Sequence, residues 1–246
     1  MITQLSQVVV RSATDDDLQR LANLVHFEAH VHRHLDWRPP LDWVGHHPYL
    51  VAEQNGTLFA ALACPPDPPG VAWIRLFAVS SDFSIRTAWE KLWGAACERL
   101  FNPDDRISVA AIPLHTWFRN LLEGSRFVHT HGVVVLSWKR APVILRRASN
   151  SWAIRQMEAA DLEAVEAVDI SAFSLVWQNS RENLELAFRQ SAVASVVEYR
   201  GQIVGYQIST ATPMGGHLAR LAVLPALQGR GIGKALLNDL LFQFEQ

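Results

Sequence analysis

Apolar positions along this chain follow two rhythms that alternate, and the alternation occurs twice. Leu18, Leu21, Leu24 and Val25 recur at spacings that put them on one face of a helix, directly after the acidic run Asp15-Asp16-Asp17. Leu162, Val165 and Val168 repeat that face further on. Thr14 or Asp15 is placed to cap the first helix, and Glu158 brings negative charge to the start of the second. A short β-branched strand precedes each helix, over 8–11 and 153–155. A hairpin follows each. The first has strands over 49–52 and 58–64 around Asn55-Gly56, and the second has strands over 195–198 and 203–209 around Arg200-Gly201. Each hairpin leads into a loop bearing Pro and Gly, and then into a strand that runs into a helix.

The similarity extends to residue identities. Arg11 and Asp17 match Arg155 and Asp161 at an offset of 144, and 76–79 match 220–223 at the same offset. Glu53 and Gly56 match Glu198 and Gly201 at 145. Three blocks holding one offset to within a residue read as an internal duplication. They predict one domain over 1–145 and a second over 146–246.

Composition narrows the class. Of 246 residues, 49% are hydrophobic and 19% charged, enough apolar material for a core and too little charge for a wholly disordered chain. Lys plus Arg number 22 against 24 for Asp plus Glu, which argues against nucleic acid as a partner, since phosphate neutralisation needs surplus cations. Two cysteines, Cys64 and Cys97, supply neither a disulfide framework nor a Cys-only zinc site, and point to a reducing cytoplasmic compartment. The first residues lack a signal-peptide pattern, and no apolar run reaches the roughly 18 residues of a membrane span, so no membrane partner is expected.

The junction at 217–237 carries the chemistry. An apolar strand stops at Pro225, a glycine-rich turn follows, and a helix begins near Gly231 with a stripe of Leu236, Leu237, Leu240, Leu241 and Phe244. Backbone N–H groups at such a helix start form an anion cradle, and glycine lets phosphate oxygens approach the backbone. Gly229 and Gly233 enclose three residues rather than the four of a P-loop, and Ala235 supplies no hydroxyl for magnesium. Gly229, Gly231 and Gly233 also miss the Gly-x-Gly-x-x-Gly dinucleotide spacing. The remaining alternative is that these glycines serve only close strand–helix packing.

At these residues the sequence resembles the GNAT acetyltransferase superfamily. The family signature is a strand ending in Val, then x-Pro, then Gln/Arg-x-x-Gly-x-Gly/Ala opening a helix. Here Val223, Pro225, Gln228, Gly229, Arg230, Gly231, Ile232 and Gly233 match it, with Lys234 behind. The resemblance implies a mixed-sheet α/β (α+β) fold in two tandem GNAT-like domains. It implies that the amides from Gln228 to Lys234 hold the pyrophosphate of acetyl-CoA, the co-substrate. Leu221, Ala222 and Val223 would line the pantetheine arm, with the Val223 amide polarising the thioester carbonyl. An amine acceptor, small molecule or peptide, would attack that thioester directly once a base has taken its proton. Some family members place that base six residues before the motif valine, where this chain has His217, whose ordinary pKa suits neutral pH. The alternative is a surface histidine after Gly215-Gly216. Glu198 is a poorer candidate, beside a hairpin turn. The resemblance leaves a homodimer open.

Family members continue beyond the motif helix with further strands and a tyrosine acid. In the repeat register Gln246 aligns with Asn102, so the second domain is expected to be truncated after its motif helix, or completed by another element. The first copy keeps the later elements, with a strand over 107–112, a helix over 117–123 and a segment over 127–138. It departs at the motif: Ser84, Ile85, Thr87 and Trp89 stand where Gln228, Gly229, Gly231 and Gly233 do, and Trp73 replaces His217. Leu122 occupies the tyrosine's place. Side chains at 85, 87 and 89 are expected to fill the cradle, leaving a degenerate, structural domain.

His26 and His30 lie four apart, as do His30 and His34, and each pair would face one way on a helix. A zinc site would need a third ligand, such as Glu28, Asp36 or His46, and Phe27 breaks the His-Glu-x-x-His pattern, so satisfied or solvated histidines at a helix end are the expectation. Nine tryptophans are scattered and read as core or domain-interface residues rather than base-stacking platforms. The acceptor would enter around 171–179, including Phe173 and Trp177, residues that select no acceptor class. The chain therefore reads as an acetyl-CoA-dependent N-acetyltransferase. The competing class is a non-catalytic CoA-binding or packing module.

Overall fold

The computed structural model describes residues 8–101, 106–139 and 152–245. The chain divides into two compact units, Met1–Gly132 and Val133–Gln246. The expected junction at 145/146 lies outside the described residues.

The first unit contains, in chain order, β1 (Val9–Ser12), α1 (Leu18–Phe27), β2 (His30–Arg33), β3 (Tyr49–Gln54), β4 (Thr57–Ala63), β5 (Val71–Trp73), β6 (Leu76–Val79), α2 (Ile85–Leu100), β7 (Ser108–Ala110) and α3 (Thr116–Gly124). Five strands form an antiparallel sheet in the order β1-β3-β4-β6-β2, while β5 leaves it to pair in parallel with β7. One face packs Tyr49, Val51 and Leu76 against Leu21 and Leu24 of α1, and the other packs Leu50, Leu62 and Phe77 against Trp89 and Leu92 of α2 and Phe118 of α3. With both faces covered, the last six residues of β4 are buried without interruption, which is why its sequence runs apolar without alternating.

The second unit contains β8 (Ala153–Gln156), α4 (Leu162–Ala172), α5 (Arg181–Gln190), β9 (Val193–Tyr199), β10 (Gln202–Thr212), β11 (Gly215–Val223) and α6 (Ile232–Phe244). Its sheet is antiparallel in the order β11-β10-β9-β8. Val197, Val204 and Val223 pack on Ile232 and Leu236 of α6, and α4 lies on the opposite face, where Asp169 meets Tyr206 and Arg220.

The matched residues Arg11, Asp17 and Glu53 form a clip. Arg11 Nη1 and Nη2 donate to the two carboxylate oxygens of Asp17 at 2.6 and 2.8 Å, and Nη2 donates to Glu53 Oε1 at 2.6 Å. Arg155 does the same with Asp161 at 2.6 and 2.7 Å, and its Nε donates to Glu198 Oε1 at 2.9 Å. Each aspartate also accepts from a backbone N–H three residues earlier, Thr14 or Glu158, at the head of a helix. Each glutamate sits opposite the start of the first strand, Glu53 across from Val9 and Glu198 across from Ala153. One guanidinium thereby ties the first strand, the helix start and the second strand together. Both hairpins turn through two residues of positive φ, Asn55-Gly56 (53° and 75°) and Arg200-Gly201 (52° and 77°), the type I′ geometry that matches strand twist.

Two expectations change. The histidine stretch does not continue a helix: α1 ends at Phe27, and His30–Arg33 is a strand. On a strand His30, His32 and His34 share a face through period-two alternation. They meet Trp117, Phe118 and Trp73 as ring neighbours at 5.4, 4.0 and 4.6 Å. Among the described residues no group of three or more His, Cys, Asp or Glu could hold a metal ion. The segment 127–139 takes no regular secondary structure, and Val133 to Leu136 are exposed. No described helix is long and apolar enough to cross a membrane.

Burial gives the histidine strand a pH dependence. It lowers the pKa of His32 from 6.5 to about 4, partly opposed by the bond to the Ile74 carbonyl, and it holds His34, beside Arg75, well below its usual value. The unfolded chain takes up these protons near pH 6.5 and the folded chain only further down. The stabilisation is therefore complete above 6.5 and lost as pH falls toward 4. Thermal unfolding between pH 7 and 4.5 should show a falling midpoint, with a shallower slope in His32→Phe; equal slopes would exclude His32 as a source.

Candidate functional site

The glycine-rich turn is built around two left-handed residues. Gly229 and Gly231 have φ of 75° and 86°, and a Cβ on either would point into open space, so backbone conformation rather than crowding selects glycine there. Gly231 is the N-cap of α6 and no side chain caps that terminus. The first-turn amides of a helix have no acceptor within it, so this end presents bare N–H groups at the positive end of the helix dipole. The Gln228 side chain folds back and donates to the Val223 carbonyl at 2.9 Å, fixing the turn to the end of the strand.

Close packing is met elsewhere. A Cβ on Gly205 would lie 3.0 Å from the Ala222 carbonyl oxygen and 3.3 Å from Val223 Cγ2. Gly205 thus leaves room for β11 beside it, while Ile232 Cγ2 of α6 would stand 3.5 Å from the same Cβ, an ordinary contact distance. Gly233 faces Leu221 and Val223 at ordinary contact distance.

Strand register sets what the open edge offers. The Leu224 N–H donates to the Val204 carbonyl at 2.9 Å, so 204 and 224 are a hydrogen-bonded pair. Alternation then makes Gly205/Val223 and Gln207/Leu221 non-bonded pairs, whose N–H and C=O groups on β11 point away from β10. Among the described residues no strand pairs with that edge.

The expected binding residues converge. Leu221, Ala222, Val223, Gln228, Gly229, Gly231, Ile232, Gly233 and Lys234 line one groove of about 420 Å³, joined by Leu227, Ala172 and Phe173. Arg230 is exposed in the turn outside this lining. His217 is also exposed outside it, on the β10–β11 arm opposite Thr210. A bulge skips Ala219 and changes the face His217 occupies. Gly216 abuts Phe244 of α6, so its neighbour His217 turns to the α4 face, the face of Arg220. Uninterrupted alternation would have put it on the face of Val223. Glu198 is committed to the clip.

Sequence reasoning missed a charged cluster on the α4 side of the groove. Asp169 and Tyr206 are fully buried and hydrogen-bonded to each other. Arg220 donates to Asp169 Oδ2 through Nε at 2.8 Å and to the Trp177 carbonyl through Nη2 at 2.6 Å, and it lies 3.6 Å from the centroid of the Phe173 ring. The Asn179 N–H donates to the other Asp169 oxygen at 2.9 Å. Burial and the adjacent carboxylate raise the pKa of Tyr206, so its phenol stays protonated. The available signal was the position of Arg220, a charge among apolar neighbours in a strand bound for the core.

In the first unit the corresponding features are satisfied internally. Ser84 caps α2, its hydroxyl accepting the Thr87 N–H at 3.3 Å. Phe77 and Val79 occupy the outward-facing positions that Leu221 and Val223 hold, and β2 pairs with them through His32 and His30. Trp89 does not fill a cradle as expected. It turns into the core against Phe77 and Phe118, and its Nε1 donates to Ser125 Oγ at 2.6 Å. Trp73, at the His217 position, is buried against His34, and Leu122 is buried in α3.

Comparison with known proteins agrees with this geometry. Residues 190–246 match the family model described as an acetyltransferase (GNAT) domain. The match covers β9 to α6, including the glycine-rich turn. An uncharacterized N-acetyltransferase of Methanocaldococcus jannaschii is 36% identical over 89 residues, covering 35% of this chain and 55% of that protein. The chain therefore spans little more than half the length of that curated relative. The GCN5-related glucosamine N-acetyltransferase region of a fungal multi-domain GH3 β-N-acetylglucosaminidase aligns over 99% of this chain and 35% of its own, with a TM-score of 0.65 at 13% identity, a likeness of fold. A GNAT family acetyltransferase from Brucella melitensis, solved in complex with acetyl-CoA, is 25% identical over 39% of this chain and 70% of its own, with a TM-score of 0.34.

The glycine positions separate two kinds of defect. Gly205→Val should cost about 1–3 kcal/mol in urea denaturation through overpacking at the Ala222 carbonyl. Gly231→Ala should cost about 1–2 kcal/mol through its left-handed backbone alone. A neutral Gly205→Val would mean that the β10–β11 packing does not need the close approach.

Proposed function

We propose that the second unit binds acetyl-CoA and transfers its acetyl group to an amine. The observation that carries this reading is the juxtaposition, in one groove, of an uncapped glycine-rich helix start and the outward-facing backbone of Leu221 and Val223. The first suits a pyrophosphate, since several amides converge on one anion without a competing side chain. The second suits an extended amide-bearing chain such as pantetheine, which would complete the sheet edge. The Val223 N–H then polarises the thioester carbonyl as charge develops on its oxygen, and the amine nitrogen attacks the carbonyl carbon. His217, on the α4 face of β11, takes the amine's proton, directly or through water. The nitrogen–carbon bond forms, the carbon–sulfur bond breaks and the thiolate of CoA leaves.

The first unit is proposed to be a degenerate copy of the same fold, in tandem with the second. The repeated Arg–Asp–Glu clip, element order and offset support common ancestry. The Ser84 cap and the β2 pairing support the loss of ligand binding, because both the anion site and the strand edge already have partners within the unit. A cytoplasmic location and an amine acceptor of small-molecule or peptide type complete the reading. The alternative, a GNAT-like module that binds CoA without turnover, shares the groove and differs only in chemistry.

Titration with acetyl-CoA decides the first point. Ligand at a hundredfold excess over its Kd should stabilise the second unit by about 2.7 kcal/mol, seen as a raised unfolding midpoint. No shift at saturation would end any CoA role. Gly231→Trp should abolish the shift and Thr87→Gly should leave it intact; loss at Thr87 would move the site to the first unit. Thiol release on a panel of amines separates an enzyme from a binding module. His217→Ala should lower kcat while leaving the affinity for acetyl-CoA unchanged, whereas an unchanged kcat would dismiss His217 as the base.

A further inference from the structure

Resting on the acetyl-CoA reading, we infer that Phe173 is the end wall for the acyl chain and that Arg220 is the residue that holds it there. The groove has unlike ends. One is the polar, amide-lined turn at Gly229 and Gly231, and the other is Ala172 and Phe173 beside Leu221 and Ala222. A ligand with its pyrophosphate on the turn and its amide-bearing arm along β11 directs its acyl group past Val223 toward the Phe173 end.

Phe173 follows the last residue of α4 with extended backbone (φ −117°, ψ 148°), a position where an aromatic side chain could swing freely. Here it cannot. The Arg220 guanidinium lies 3.6 Å from its ring centroid and is itself fixed by Asp169 and by the Trp177 carbonyl. The Gln178 side chain also donates to the Phe173 carbonyl at 2.9 Å, fixing the backbone beneath the ring. With its charge met by Asp169 and its Nε and Nη2 held by Asp169 and the Trp177 carbonyl, Arg220 serves as a support for the ring. A cation against a ring face is worth more when the site is largely desolvated, and the Arg220 side chain is only 14% exposed. The ring is therefore a rigid boundary. In an apolar pocket one methylene of excess length is discriminated by about 10- to 200-fold.

The test compares CoA, acetyl-CoA, propionyl-CoA and butyryl-CoA, by binding and by thiol release, on the full chain and on Phe173→Ala. The wild type should disfavour butyryl-CoA against acetyl-CoA by tenfold or more. Phe173→Ala should remove most of that preference while leaving the affinity for unacylated CoA within about threefold. Arg220→Gln, which frees the ring without deleting it, should move the ranking in the same direction by a smaller factor. If Phe173→Ala folds poorly, Phe173→Leu supplies the comparison, with an intermediate shift expected. Failure of the wild type to bind any of the four ligands defeats the underlying reading. Binding with an acyl ranking that the variants leave unchanged overturns this inference alone. A changed acceptor KM with an unchanged acyl ranking also overturns it, and assigns Phe173 to the acceptor.

Discussion

The outer edge of the last strand in each sheet is the constraint on which the rest of this structure turns. Its backbone N–H and C=O groups are strong donors and acceptors that must find partners, and each sheet meets that demand differently. In the first unit the chain returns after α1 as His30–Arg33 and pairs with Phe77 and Val79. In the second unit the stretch at the same offset, 174–177, holds only a 3-10 turn (Leu175–Trp177), and among the described residues Leu221 and Val223 keep an open edge. One segment, a paired strand in one unit and a turn in the other, separates a closed sheet edge from an open one.

The helix terminus beside that edge follows the same logic. Ser84 supplies its own cap to α2, whereas Gly231 leaves α6 uncapped and bends the backbone so that amides gather at one point. The bare amides at the start of α6 thus depend as much on the lack of a capping side chain as on glycine. Gly205 completes the arrangement by leaving room for the Ala222 carbonyl and Val223 where β10 and β11 pair beneath α6. The Arg155–Asp161–Glu198 clip lies at the opposite end of β9 from Ser195 and fixes the sheet's first strand and the start of α4 without entering the groove. The clip is structural in both units, and its three residue types recur at offsets of 144 and 145.

Element type and order were legible because helix and strand periods differ and because both hairpins announce themselves with residues that tolerate positive φ. The turn was legible because few sequences need glycine at alternate positions before an apolar helix. The histidine stretch was misread. Spacings of four residues fit both an α-helix and a strand, and what decided was the demand of Phe77 and Val79 for partners, which no local pattern contains. Trp89 was misread for a related reason: its position faces the sheet, so a large side chain there adds to the core instead of covering the helix start. The charged cluster of Asp169, Tyr206 and Arg220 lay beyond sequence reasoning because its members come from three elements and only folding brings them together.

By itself the sequence determined the two hairpins, the helix after each first strand and the residues of the glycine turn, since each depends on spacing within a short window. The tertiary structure decided which unit keeps an open edge, which face His217 occupies and what stands at the far end of the groove. These depend on a pairing between strands distant in sequence, on a one-residue bulge at Ala219, and on a part-buried arginine with partners 43 and 51 residues away. Backbone groups are identical in every residue, so which of them remain unpaired is a property of the assembled sheet.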